Sequence, residues 1–308
     1  MTAKIETAAP TDRDQWRNLR LEVLDRVEGL PSLGSVVVEF LELARREYFT
    51  AKDFEQVISK DQALVARLLK VANSGLYGRS RTIHSIPEAV VLIGLESLKK
   101  IVFAVSAEGL TRRRLDNYPY HPDHGFWVHS LGIAHVARVL AEAAPACPLR
   151  GEEAFVAGLL HDVGKLVIDE FLEANGGRPV TRTAECAAVG LDHAELGGFI
   201  LRQWNLPESI TRCVLHHHDY KQGGEWALGA AVLALAEEIA GCWGLGHLEP
   251  IDLSEPLPSN RFRPYLNDLG IPVEKWDQVV WEIQQNMSGL AGLFGQEPVK
   301  ETKENPEE

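Results

Sequence analysis

The chain has 308 residues, 45% of them hydrophobic and 24% charged, and a net charge of -13. That length allows two compact domains, or one domain with an appendage, and the composition is ordinary for a globular protein. The acidic balance excludes a general nucleic-acid binder, because phosphate attraction needs a basic surface. Arg112-Arg113-Arg114 is the one basic run, and it reads as a solvated helix end.

The dominant periodicity is helical. Trp16, Leu19, Val23 and Val27 recur every three to four residues, so an amphipathic helix is expected first. Leu30-Pro31 breaks it. Val36 to Arg46 reads as a second helix. Thr50-x-x-Asp53 resembles a capping box for a third helix ending near Ser59. Asp61 is placed to cap a fourth, with Leu64, Leu68 and Val71 on one face and Asn73-Ser-Gly75 as its stop. Ser85-x-x-Glu88 caps a fifth that ends at Gly94, and Ser97 to Leu110 is a sixth.

The stretch from Asn117 to Gly125 holds prolines and histidines and reads as a connection between two subdomains. A second helical block follows from about Trp127 to Leu245, with loops at Pro145–Gly151 and Gly176–Val180. The proline-rich segment Glu249–Arg263 reads as a linker. Trp276, Val279, Val280, Ile283, Met287 and Leu290 define a further amphipathic helix. Residues Gln296–Glu308 are charged and are expected to be disordered. No alternating strand pattern and no repeat is found. The fold class expected is all-α.

Cys147, Cys186, Cys213 and Cys242 form no CxxC pair, which fits reduced thiols in a cytosol. The first residues carry no apolar run of the signal-peptide kind. No run of about 18 apolar residues is present, so no membrane span is expected. The expected location is cytoplasmic.

The chemistry-bearing residues lie between His129 and Glu237. His161-Asp162 alone means little, since about 0.5 His-Asp pairs are expected by chance in this composition. The surroundings carry more weight. Ala154 to Leu160 and Val163 to Ile168 are largely apolar, so a buried helix with two polar residues in its middle is expected. A buried Asp162 needs a partner, which a metal or Lys165 would supply. His129 and His193 each sit on an amphipathic helix, where a lone histidine is usually structural. Gly197, one turn after His193, permits close approach of a second helix. His216-His217-His218 is rarer, and neighbours on a helix point about 100° apart, so at most two can face one site. Glu237 shares an apolar face with Leu233, Ala234, Ala240 and Gly241, whereas Glu238 faces solvent. Imidazole and carboxylate together suit one or two first-row metal ions.

Several segments carry a family likeness. They include Leu30-Pro-Ser-Leu33, Ile58-Ser-Lys-Asp-Gln-Ala-Leu64, Leu68-Leu-Lys-Val-Ala-Asn-Ser-Gly-Leu-Tyr77 and Ile83-His-Ser-Ile-Pro-Glu-Ala-Val-Val-Leu-Ile-Gly-Leu95. Trp127-Val-His-Ser-Leu131, Ala154-Phe-Val-Ala-Gly-Leu-Leu-His-Asp-Val-Gly-Lys-Leu166 and Trp204-Asn-Leu-Pro-Glu208 continue the series. Together, over roughly residues 26 to 245, they resemble the HDOD domain family.

The resemblance implies a two-subdomain helical bundle whose second part is similar to HD-type metal phosphohydrolases. It implies residues 1–29 as an N-terminal helix, 30–116 as a helical subdomain and 117–248 as an HD-like metal-binding subdomain. Residues 249–295 would be a linker with a helix, and 296–308 an acidic tail. It also implies a bacterial signalling or regulatory role. The order His129, His161, Asp162, His193, His217 and His218 is similar to that of the HD-GYP phosphodiesterases, with Lys165 at their HDxGK lysine. Glu237 stands where those proteins carry Asp, and no GYP segment follows His218-Asp219, so cyclic di-GMP hydrolysis is not expected.

The resemblance therefore implies His129, His161, Asp162 and Glu237 at one ion and His193, His217 and His218 at another, bridged by Asp162. Iron, manganese, nickel and zinc all fit such donors. A signalling protein or a phosphorylated small ligand is the expected partner. The alternative is a phosphohydrolase, with water activated by metal at Asp162 and phosphate charge offset by Lys165. A mixed-ligand di-iron oxygenase is a lesser one.

Overall fold

The structure is a computed structural model that describes residues 21–23, 25–27, 35–44, 46, 48–73, 83–122, 125–174, 176–177, 181–247 and 251–288. Among these, all regular structure is helical apart from one isolated antiparallel bridge between Tyr120 and His247. The described part of the first expected helix is helical at 21–23 and 25–27, with Val23 and Val27 buried. Trp16, Leu19, Leu30-Pro31, Leu290 and the 296–308 tail lie outside the described residues.

Five helices follow: α1 (Ser35–Ala44), α2 (Ala51–Ile58), α3 (Gln62–Ala72), α4 (Ile86–Ile93) and α5 (Leu95–Thr111). Side-chain caps, each worth about 1 kcal/mol, set the starts of α2, α3 and α4. Thr50 and Asp53 form a reciprocal capping box on α2. Asp61 accepts the Leu64 N–H at 2.9 Å, and Ser85 accepts that of Glu88 at 3.3 Å. Asn73, at the end of α3, donates to the Ile83 carbonyl and accepts from the Ile83 N–H, at 2.8 and 2.7 Å. That amide pins the start of α4 to the end of α3.

The second block contains α6 (Gly125–Ala143), α7 (Gly151–Leu160), α8 (Gly164–Ala174), α9 (Arg182–Val189), α10 (His193–Gln203), α11 (Glu208–Leu215) and α12 (Ala227–Trp243). The most extensive packing is α6 on α7, followed by α12 on α6 and α10 on α11. A file of rings runs from the first block into the second. Phe40 packs on Phe54 and Phe103, and Phe103 continues to Phe155 on α7, with centroids 5.1–6.5 Å apart.

By length and composition alone, Gly224–Trp243 would suffice to cross a membrane. Most of it is buried, and its α12 portion packs on α6, α7 and α11 as a core helix does.

The linker reading of 249–263 holds only in part. Residues 251–258 are irregular, but α13 (Ser259–Leu269) begins within that segment and runs through Pro264. Leu253, Leu257 and Phe262 are buried. Pro264 lies inside the helix, where it removes one i→i−4 hydrogen bond, and the burial of Phe262, Leu266 and Leu269 outweighs that local cost. The closing helix α14 (Trp276–Ser288) packs on α6, with Trp276, Ile283 and Met287 buried.

Candidate metal centre

The candidate ligands sit mostly at helix ends. α7 stops at Leu160 and α8 starts at Gly164, so His161 and Asp162 occupy a turn rather than the middle of a helix. That corrects the expectation of one continuous buried helix. Two glycines make the turn possible. A Cβ on Gly158 would lie 2.8 Å from the Cα of Ala134, and one on Gly164 would lie 2.1 Å from the His193 carbonyl oxygen. Both permit backbone-to-backbone contact, so α6 and the start of α10 close directly around the turn.

His193 is the first residue of α10 because Asp192 caps it. Asp192 accepts the Glu195 N–H at 2.9 Å, and Glu195 accepts the Asp192 N–H at 3.1 Å. His217 and His218 lie in the turn after α11, and His216 caps that helix outside the cluster. His129 comes from the second turn of α6. Glu237 comes from α12 and enters the cluster, while Glu238 is exposed.

Two groups result. One ligand atom from each of His129, His161, Asp162 and Glu237 lies within 4.8 Å of the others, and the same holds for His193, His217 and His218. In the first, His129 Nε2 is 3.3 Å from His161 Nε2 and 3.4 Å from both Asp162 Oδ2 and Glu237 Oε1. His161 Nε2 is 2.5 Å from Glu237 Oε1. In the second, the Nε2 atoms of His193 and His218 are 2.7 Å apart. Asp162 faces both: Oδ2 belongs to the first group, and Oδ1 lies 3.2 Å from His193 Nε2.

Each ring in the core of the site is held through Nδ1. His161 Nδ1 meets the Gly158 carbonyl at 2.7 Å, His217 Nδ1 that of Val214 at 2.6 Å, and His129 Nδ1 that of Leu245 at 3.3 Å. A carbonyl only accepts, so these Nδ1 atoms carry a proton and the Nε2 atoms face inward. Fixing the outer nitrogen in this way is what metal-binding histidines require. Two buried atoms sharpen the point: His217 Nε2 and Asp162 Oδ1 have no hydrogen-bond partner.

The electrostatics divide the same way. Burial opposes charge on His161, but Asp162 and Glu237 outweigh it and raise its pKa to about 10. Burial likewise resists ionising Asp162 and Glu237, yet the surrounding His161, Lys165 and His129 hold both well below the usual carboxylate range. In the second group burial dominates. It pushes His217 well down and, aided by His193, brings His218 to about 4. In the metal-free protein the two carboxylates thus keep a proton on His161, which a divalent cation would replace, while burial keeps His217 and His218 deprotonated and ready to bind.

Lys165 is already engaged. Its ammonium donates to Asp162 Oδ2 and, at 2.9 Å, to the Tyr120 hydroxyl. It also lies over the rings of Tyr118 and Tyr120. Tyr120 donates in turn to Asp162 at 2.9 Å.

Three residues here were not singled out from the sequence: Tyr118, Tyr120 and Glu185. Glu185 is buried on α9 and accepts from His193 Nδ1 at 2.7 Å, the His193 N–H at 2.9 Å and the Tyr118 hydroxyl at 2.9 Å. Asn117 and Asp116 precede the tyrosines, and their N–H groups bind the buried Asp169 carboxylate at 2.8 and 3.3 Å. The connection expected at 117–125 is thus fastened to the site.

The comparisons with known proteins agree with this architecture. The HDOD domain description matches residues 30–220. An HDOD domain protein of unknown function from Geobacter sulfurreducens is 28% identical with a TM-score of 0.61, over 90% of this chain and 98% of its own. A candidate phosphohydrolase from Shewanella amazonensis SB2B has a TM-score of 0.62 over 89% of this chain and 96% of its own, and at 22% identity shows the fold alone. An uncharacterised protein of Treponema pallidum (strain Nichols) is 26% identical over 220 residues, which is 68% of this chain. The match covers 42% of that relative, so the chain spans less than half its length. With the family description covering well over half of the sequence on an all-α fold of the same kind, this chain belongs to the HDOD domain family.

Proposed function

We propose that this chain is a regulatory, signal-transducing HDOD protein whose second helical block holds one or two divalent transition-metal ions. The observation that carries this reading is the convergence of five histidine rings and two carboxylates, with two buried atoms, His217 Nε2 and Asp162 Oδ1, left unpartnered. His129, His161, Asp162 and Glu237 would hold one ion and His193, His217 and His218 the other, with Asp162 between them. Iron, manganese, nickel and zinc are all compatible with these donors.

Access favours binding over turnover. His129, His161, Asp162, His193 and His217 are at most 4% exposed. Solvent reaches the cluster mainly through Glu237 and His218. A signalling partner or a phosphorylated small ligand would therefore meet the site from that edge.

The second reading is a metal-dependent phosphohydrolase, favoured by the two neighbouring groups of candidate ligands that Asp162 faces. A bound divalent ion supplies a Lewis acid for a phosphate oxygen and lowers the pKa of water. Lys165 would hold Asp162 ionised and in place rather than reach the phosphate, since its ammonium is taken up by Asp162 and Tyr120.

Elemental analysis of the purified protein tests the main reading. One or two transition-metal equivalents per chain are expected. Less than about a tenth of an equivalent after reconstitution would refute it, because the affinities typical of such donor sets keep a site filled. A phosphodiesterase screen with Asp162→Ala as control then decides the second, since activity that survives the substitution belongs elsewhere.

A further inference from the structure

We propose that Glu185 is the positioning residue of the His193 cluster, fixing the His193 ring so that its Nε2 lone pair is available to a cation. The inference rests on the metal reading above and concerns a residue that reading does not use.

The outer contacts of the core rings are unequal. His129, His161 and His217 are each held by a neutral backbone carbonyl. His193 is held by a carboxylate. Glu185 Oε2 and Oε1 lie 2.7 and 2.9 Å from His193 Nδ1, and Oε2 also accepts the His193 backbone N–H at 2.9 Å. Ring and backbone of one residue thus bind one carboxylate, which removes the rotation about χ1 and χ2 that a single contact leaves. Tyr118 donates to Oε1 at 2.9 Å and fixes the carboxylate from its far side. Glu185 is 1% exposed, and an ionised carboxylate that deep is retained only where donors surround it.

The tautomer follows from the donor count. A carboxylate flanked by a phenol and a backbone N–H accepts from Nδ1, so Nδ1 carries the proton. Nε2 then carries a lone pair that accepts from His218 Nε2 at 2.7 Å and lies 3.2 Å from Asp162 Oδ1, with which it forms no hydrogen bond. A lone pair and an anionic oxygen at that distance repel unless positive charge lies between them. Glu185 therefore builds an electron-rich gap on the second side of Asp162. A carboxylate on the outer nitrogen also strengthens the ring as a donor, and losing such a contact typically costs 10–100-fold in metal affinity.

The test uses the full chain with 15N-labelled histidine, prepared metal-free and then titrated with Zn2+. Ring signals of His193 and His129 are assigned by their absence from His193→Gln and His129→Gln. In the wild type, His193 should carry its proton on Nδ1, and Zn2+ should shift its Nε2 signal. In Glu185→Ala the Nδ1 proton signal should vanish into exchange, and the His193 response should need about 10–100-fold more Zn2+. The His129 response should stay at its wild-type midpoint. Glu185→Gln keeps the side-chain volume and one acceptor, so it serves if the alanine variant does not fold, and it should lie between the two.

A bare His193 Nδ1 in the wild type would overturn the proposal. So would a His193 response unchanged in either variant, or His193 and His129 responses weakened equally, which would make Glu185 a scaffold residue. If neither ring responds to Zn2+ in the wild type, the metal reading fails, and the Nδ1 proton alone still decides whether Glu185 sets the ring.

Discussion

His193 Nε2 approaches Asp162 Oδ1 at 3.2 Å, on the side of the carboxylate opposite to His129, His161, Lys165 and Tyr120, which all meet Oδ2. Asp162 is thereby the one residue common to both ligand groups. Asp162→Asn should abolish binding at both positions together, and metal content should fall below about a tenth of an equivalent. In the metal-free protein the same change leaves Lys165 and His161 charged and buried, at a cost of about 3–5 kcal/mol in denaturant unfolding. Retention of a full equivalent would show that the groups are independent.

Gly158 and Gly241 are both helical glycines with opposite surroundings. A Cβ at Gly158 meets the Ala134 backbone at 2.8–2.9 Å, whereas one at Gly241 meets nothing within 4 Å. Gly158→Ala should destabilise by about 1–3 kcal/mol or more through overpacking, and should weaken metal binding because the Gly158 carbonyl holds His161. Gly241→Ala should stabilise by about 0.5–1 kcal/mol through helix propensity alone. Urea denaturation of the two variants checks the contrast, and equal effects would contradict the packing described for α6 on α7.

His135 titrates away from the ligand groups. It is buried on α6 with Nε2 unpartnered, edge-on to Phe155 at 5.0 Å. Burial lowers its pKa from 6.5 to about 3. Between those values the unfolded chain binds a proton that the folded chain refuses, so stability falls as pH drops through this window. The full shift corresponds to roughly 4–5 kcal/mol. His135→Leu should lose that much less stability than the parent between pH 7 and pH 3, measured on metal-free protein. Parallel pH profiles would refute the assignment.

Metal removal should expose the linkage between site and fold. The proposed ligands come from α6, the α7–α8 turn, α10, the turn after α11, and α12. A bound ion therefore cross-links most of the second block. Chelation should lower the thermal midpoint, and free metal at about 100 times its Kd should restore roughly 2.7 kcal/mol. A midpoint indifferent to chelator and metal would argue against an ion inside the bundle.

Much of this arrangement is legible in residue order. Apolar spacing locates the helices, and Thr50, Asp61 and Ser85 mark their starts because capping is local chemistry. Glu237 is separable from Glu238 because a 3.6-residue period assigns them different faces. The turn at His161 is not legible as a turn, because Gly158 and Gly164 look like tolerated helical glycines until the neighbouring backbones are known. Helix α13 escapes for a related reason: its anchors Phe262, Leu266 and Leu269 act through tertiary burial, against a proline-rich local composition. Glu185 carries no local mark at all. It is one glutamate in a short alanine-containing helix, and its meaning depends on a partner eight residues away across a loop.

The segment around Tyr118 and Tyr120 links these observations. The two rings stack at 6.2 Å, yet their hydroxyls part: one reaches Glu185 behind His193, and the other reaches Asp162 between the groups. The same few residues leave the end of α5 and are anchored by Asp169 on α8. The helices that precede the segment and the histidines behind it are therefore joined through a short segment as well as through the Phe103–Phe155 contact. A rearrangement on either side would strain two buried carboxylate contacts together.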